Sequence, residues 1–448
     1  MAKKQSKIWR AIDNIKGDKV VLMIVITLIM FSIVSIFASS SLLALQQGTT
    51  RLAIFEEQIK IVCLGALFIF LIYKIPYIWV FRVLSQLGFI LSAGLLACLI
   101  LRIGTTEFND AVRALSIGGL QIHVYEIVKV AMVMYLAWAV HTYKLDDFKI
   151  LNWMARKFPK QKWLKKPITK QFIYIFAPII VIVLCIAAGS LSSACFIGLI
   201  MIVTIMIGGI KFKDMIAPAL IGLISVLIVV SLHAISPKKI LPRMNTWKSR
   251  LEHVSYEDTI KVYGIASEKG QQALDKLRQP ESAMVAIKES KFIGKGPGKS
   301  TQKHVVSVMY GDYMFSYIIE EFGILGAFII IALYVSLLAR GSIIVRSCNS
   351  TFAQTAIAGL TILISGQAML HMLINVQLWP VTGQTLPMIS HGNSSFLCFS
   401  IAFGIILSIS KIAKKNIDKQ SKAAMPLMSV EENVEATLNE LDDFDTIE

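Results

Sequence analysis

The residues of this chain with chemistry to offer are the carboxylates and cations that stand where it passes from polar to apolar. Asp312 closes a long polar stretch and immediately precedes the apolar run 315–338. At such a boundary a carboxylate is partly desolvated yet still reaches a solute outside, which suits a general base. The same place equally suits a helix N-cap, a role aspartate fills well. Upstream of Asp312, the segment 236–311 is rich in cations, among them Arg243, Arg250, Lys295 and Lys303. Any one of them reads as part of a solvated face shared with neighbouring Asp and Glu. As a set they suit an anionic headgroup such as a diphosphate, held by charge-assisted hydrogen bonds, with the planar arginine forks matching phosphate oxygens best. The run Gly294-Lys295-Gly296-Pro297-Gly298-Lys299-Ser300 looks superficially like a nucleotide-binding P-loop, but its glycine spacing does not fit and no strand precedes it. It reads as a tight turn or as a headgroup-binding turn.

Two further pairs stand close to apolar runs. Glu126 and Lys129 are three residues apart on one helix face, so each can neutralise the other, as a structural ion pair or as a substrate contact. Glu320 and Glu321 follow Asp312 inside the next run. At about 100° per residue the two cannot both face the cleft that Asp312 faces.

These groups must be positioned by membrane helices. Hydrophobic residues make up 55% of the 448, a composition suited to lipid. The runs 20–43, 58–73, 81–101, 124–140, 172–188, 194–210, 215–235, 315–338, 352–373 and 394–409 each approach the ~20 residues that cross a ~30 Å hydrocarbon layer. The expected fold is an all-α polytopic membrane protein with about ten transmembrane helices and a long extracytoplasmic loop, 236–311, between the seventh and eighth. The basic stretches 1–19, 143–170 and 411–422 fall on one face, which the positive-inside bias assigns to the cytoplasm, with both termini. The first run reads as an anchor and not as a removable signal peptide. The transmembrane domain is expected over 20–410, followed by a cytoplasmic tail, 411–448, that turns acidic and is too poor in apolar residues to order itself. The net charge of +16 is spread mostly as membrane flanks, which argues against a nucleic-acid partner, and the six cysteines read as small core residues.

Taken together, these segments resemble the SEDS family of membrane proteins, which includes FtsW, RodA and SpoVE. The resemblance runs from Gly17-Asp18-Lys19 to about Lys411 and rests on three pieces. They are Gly294–Lys303 with Asp312 and Glu320-Glu321-Phe322-Gly323, the stretch Pro380…Gly383…Leu386-Pro387…Ser390…Gly392…Ser394-Ser395, and Glu126-x-x-Lys129. The Gly17-Asp18-Lys19 start and the Ser39-Ser40-Ser41 end of the first span are more like the FtsW branch, and the overall look is like members from Bacteroidetes-type bacteria. The resemblance implies an enzyme that polymerises lipid II into glycan strands at the outer face of the bacterial cytoplasmic membrane, in company with a class B penicillin-binding protein and other division proteins at the septum. It implies that Asp312 is catalytic and that Glu126 and Lys129 line a central cavity. Ser390 is a further candidate substrate contact, and a diphosphate leaving group suits help from a divalent cation, Mg or Mn. Ten spans with a cavity holding Glu126 and Lys129 also suit a lipid II transporter. The chain departs from the family pattern at Asp110, Ala114, Ser190, His391 and Asn393, which leaves a non-catalytic division scaffold as a further alternative.

Overall fold

The computed structural model describes residues 16–108, 111–117, 120–158, 160–235, 268–306 and 309–417. The helices, in chain order, are α1 Lys19–Ser39, α2 Ser41–Gln46, α3 Arg51–Lys74, α4 Ile78–Ile100, α5 Val124–Leu145, α6 Lys149–Lys157, α7 Pro167–Gly189, α8 Leu191–Ile207, α9 Phe212–Ile235, α10 Glu268–Glu289, α11 Met314–Arg346, α12 Thr351–Asn375 and α13 Asn393–Ile417. Every one of the ten apolar runs falls on a helix. Among the described residues, seven are able to cross a membrane by length and composition: α1, α4, α5, α7, α11, α12 and α13. Of the others, α8 is apolar but shorter, and α3 carries Glu56, Glu57 and Lys60 in its first turns. Between α4 and α5 stands a three-stranded antiparallel sheet that the apolar runs do not predict: β1 Thr105–Phe108, β2 Ala111–Ile117 and β3 Leu120–His123, in the order β1-β2-β3.

Contacts between helix ends gather into two groups. At one end Asp18 caps α1 and takes the Arg340 guanidinium from α11, with Nε at 3.0 Å, while its own N–H donates to Ser410 Oγ of α13. Asp18 thus joins α1 to α11 and α13. Ser408 Oγ donates to Ile75 O and Arg82 to Ser350 Oγ at the same end. At the other end lie Asp312, the sheet and the loop 376–392, where the β3 residue His123 donates its N–H to Ser394 Oγ of α13.

The helices α5, α12 and α13 are buried along most of their length and form the core, whereas α4 and α7 expose most of their surface. Without a hydrophobic force between helices in lipid, close approach depends on small residues. A Cβ at Gly341 would lie 2.7 Å from Thr361 Cγ2, and one at Gly359 would lie 2.6 Å from Val133 Cγ1. These two glycines let α12 pack against α11 and α5. In α7, Pro178 has no N–H for the carbonyl four residues back, and the helix widens to a π-turn over Phe172–Phe176. The orphaned carbonyl, Tyr174 O, accepts instead from the Tyr135 hydroxyl of α5 at 2.9 Å.

Candidate active site

Asp312 is half-buried in the turn that leads into α11. The N-cap of that helix is Tyr313, so Asp312 is not the cap, and of its two sequence readings the capping one does not hold. Three consecutive carbonyls here are pinned from one side. Tyr310 O accepts from the N–H of His391 at 2.9 Å, Gly311 O from the Ser390 hydroxyl at 2.8 Å, and Asp312 O from Asn375 Nδ2 at 3.0 Å. Ser390 is buried, and its oxygen also accepts the Leu386 N–H at 2.9 Å. The backbone under Asp312 is thus held by α12 and the loop 376–392. The His391 ring meets the Tyr310 ring edge-on with centroids 5.7 Å apart. Burial, and then the charge of Asp312, raises the Tyr310 hydroxyl above its usual 10.0, while burial lowers His391 below 6.5 against the opposing pull of Glu57. Both rings are uncharged at neutral pH.

The glycine-rich run docks onto a break in α11. Gly323 has φ 70° and ψ −168°, outside helical space, so Glu320 O and Glu321 O lose their partners four residues on. The N–H groups of Lys295 and Gly296 replace them, each at 2.9 Å, and Leu325 N–H goes to Phe292 O at 3.2 Å. Side chains complete the seam. The buried carboxylate of Glu320 accepts from Lys295 Nζ at 2.8 Å, from Thr301 N–H and Oγ1 at 2.9 Å each, and from the Ser300 hydroxyl. Glu321 Oε1 takes the Ser300 N–H. Both glutamates are fully buried against the same turn, although a regular helix sets them far apart around its axis. The anion this turn holds is the protein's own. Lys295 lies between Glu289 and Glu320; burial disfavours its charge, but the two carboxylates outweigh that and keep it above its usual 10.5. Lys303 is buried and donates to Gly298 O, and burial lowers it.

A second polar centre lies in the core. Lys129 is buried, and its ammonium donates to Glu126 Oε1 at 2.6 Å, Gln367 Oε1 at 2.6 Å and Gln384 Oε1 at 3.0 Å. Its three protons are therefore matched. Glu126 Oε2 is buried and receives no hydrogen bond. Gln384 Nε2 reaches Ser193 Oγ at 3.1 Å, and Gln384 O meets His371 Nδ1 at 2.7 Å, so this centre is linked to α12 and through it to the start of α11.

Arg243, Arg250 and the acidic tail lie outside the described residues. Among the described residues no three His, Cys, Asp or Glu are grouped to hold a metal ion. Gln367, His371, Asn375 and Gln384 were not singled out from the sequence. Their signal was present in part, because Gln367, His371 and Asn375 recur every four residues along an apolar run and so share one face.

Residues 18–415 match the family model FTSW_RODA_SPOVE, described as "Cell cycle protein". The chain is 27% identical over 395 residues to "Probable peptidoglycan glycosyltransferase FtsW" of Bacillus subtilis, covering 88% of this chain and 90% of that protein. It is 33% identical to the protein of the same name from Caulobacter vibrioides, over 127 residues that span only 33% of that relative. A solved structure described as "Structural coordination of polymerization and crosslinking by a peptidoglycan synthase complex" contains a chain with the same fold, with TM-score 0.55 and 19% identity over 89% of this chain and 98% of that one. The matched span takes in the broken α11, the Lys129 centre and the clasped turn at Asp312, and this chain is a membrane protein of the FtsW/RodA/SpoVE family.

Proposed function

We propose that this protein is a peptidoglycan glycosyltransferase that polymerises lipid II into glycan strands at the outer face of the cytoplasmic membrane during cell division. The observation that carries the reading is Asp312: a carboxylate at the mouth of a membrane bundle, on a backbone pinned at three successive carbonyls. The names of the similar proteins support it, as does the pairing of polymerization with crosslinking in the description of the solved neighbour. Both termini lie in the cytoplasm, and a class B penicillin-binding protein cross-links the product.

A lipid-linked sugar brings its own diphosphate leaving group. The protein must take a proton from the attacking hydroxyl and stabilise the departing anion. Asp312 accepts the proton of the acceptor hydroxyl as its oxygen bonds to the anomeric carbon of the donor. The bond from that carbon to the diphosphate breaks on the opposite side, so the anomeric configuration inverts. Arg243 and Arg250 hold the diphosphate. Lys295 and Lys303 act by shaping the turn beside it, since their ammonium groups already have partners in the protein. Ser390 acts through Gly311 O. Glu126 Oε2 accepts a hydrogen bond from a sugar hydroxyl or amide.

Labelled lipid II given to the full-length protein with its penicillin-binding partner, in vesicles, separates the readings. Polymer supports the proposal. Lipid movement without polymer indicates a transporter, and neither indicates a scaffold.

A further inference from the structure

A helix leaves its first N–H groups without intrahelical acceptors, and an N-cap side chain ordinarily takes the second or third of them. The N-cap of α11 is Tyr313, whose side chain makes no capping bond. The second and third N–H groups go to α12 instead: Phe315 N–H to His371 Nε2 at 3.4 Å and Ser316 N–H to Asn375 Oδ1 at 2.9 Å. His371 and Asn375 are four residues apart on one face of α12, and both are fully buried. Each is braced. His371 Nδ1 meets Gln384 O at 2.7 Å, which makes it the protonated nitrogen and leaves Nε2 as the acceptor. Asn375 also accepts the Ser316 hydroxyl at 2.8 Å, and its amide donates to Asp312 O and to His371 O.

We infer that His371 and Asn375 are positioning residues for the transfer reaction: by capping α11 from α12, they fix the turn on which Asp312 stands. The inference rests on Asp312 being the base. A displacement of about 1 Å in a reacting group can cost on the order of 100-fold in rate, so the cap bears on turnover more than on substrate binding.

The test is polymerisation by the full-length protein with its partner across a range of lipid II concentration and pH, alongside thermal unfolding of each variant. Asn375→Ala and His371→Ala are expected to lose roughly 10- to 100-fold in kcat with KM within about twofold. His371→Gln offers an amide oxygen to Phe315 N–H and should recover much of the loss. Asn375→Asp keeps an acceptor for Ser316 but sets a second carboxylate beside Asp312, and should move the acid limb of the kcat profile to higher pH. Wild-type kcat in both alanine variants, a change in KM alone, or a loss that follows only the folded fraction would overturn the inference. If the alanine variants do not fold, a wild-type pH profile in folded Asn375→Asp overturns it. Asp312→Asn tells the two claims apart: if it is inactive while the cap variants behave as wild type, only this inference fails, and if it is active, the base assignment fails and takes the inference with it.

Discussion

Replacing Gly323 by alanine should undock the glycine-rich turn from α11. The backbone at Gly323 lies in a region that only glycine adopts readily, and a Cβ there would sit 2.2 Å from Phe292 O and 2.4 Å from Gly294 N. Two responses are open. If the break is kept, the backbone conformation costs about 1–3 kcal/mol before the clash is counted. If the helix straightens, Glu320 O and Glu321 O regain partners within α11, and the turn loses its three backbone bonds, those donated by Lys295 and Gly296 and the one Phe292 O accepts from Leu325. With three bonds lost and two regained, at a net ~1 kcal/mol for each bond, that is about 1 kcal/mol. Either way the docked state weakens by about 1–3 kcal/mol, or up to about 100-fold in its equilibrium. Hydrogen exchange of the detergent-purified protein, read by mass spectrometry over 292–303, should show the Lys295 and Gly296 amides exchanging faster, by up to about 100-fold. The Thr301 amide should change less, because the Glu320 carboxylate still holds it. Unchanged exchange at Lys295 and Gly296 would refute the idea that the break at Gly323 is what docks the turn.

Lys129→Met strands Glu126, Gln367 and Gln384 in the core and should cost about 3–5 kcal/mol in unfolding measurements, with part recovered on adding Glu126→Gln; a loss under about 1 kcal/mol would count against a buried structural role. Because burial lowers the pKa of His391 in the folded state, its contribution to stability is fully present above 6.5 and declines as pH falls towards the folded value. Wild type should therefore lose more melting temperature than His391→Gln between about pH 7.5 and about pH 5, and equal losses would contradict this. Arg243→Ala and Arg250→Ala should weaken lipid diphosphate binding with little effect on folding, and lysine at either position should restore only part. Unchanged lipid affinity in both would return these arginines to a solvated face.

The helices were legible because lipid demands long apolar runs, and ten such runs coincide with ten helices. Their ends were less so. The first run reads through to residue 43, but α1 stops at Ser39 and a separate α2 begins at Ser41, the break falling on the serine triplet Ser39-Ser40-Ser41. The sheet escaped because its strands are short and mixed in polarity, and a search for long apolar runs passes over them. Asp312, Lys129 and Glu126 stood out because charge beside lipid is costly. Asn375, Gln367, His371 and Gln384 did not, because a search for ionisable groups in membrane spans ignores neutral amides, and a single histidine in an apolar run reads as packing. The union of Glu320 and Glu321 on one turn depends on a non-helical residue two positions later, and a wheel drawn for a regular helix cannot contain it.

The central claim is that Asp312 takes the proton of the acceptor hydroxyl, and Asp312→Asn is its most direct test because it removes the base with nearly the same shape. The full-length variant, purified with its penicillin-binding partner and given labelled lipid II, should fold, bind the partner and make no polymer. Polymer at a rate near wild type from the same preparation would contradict the account.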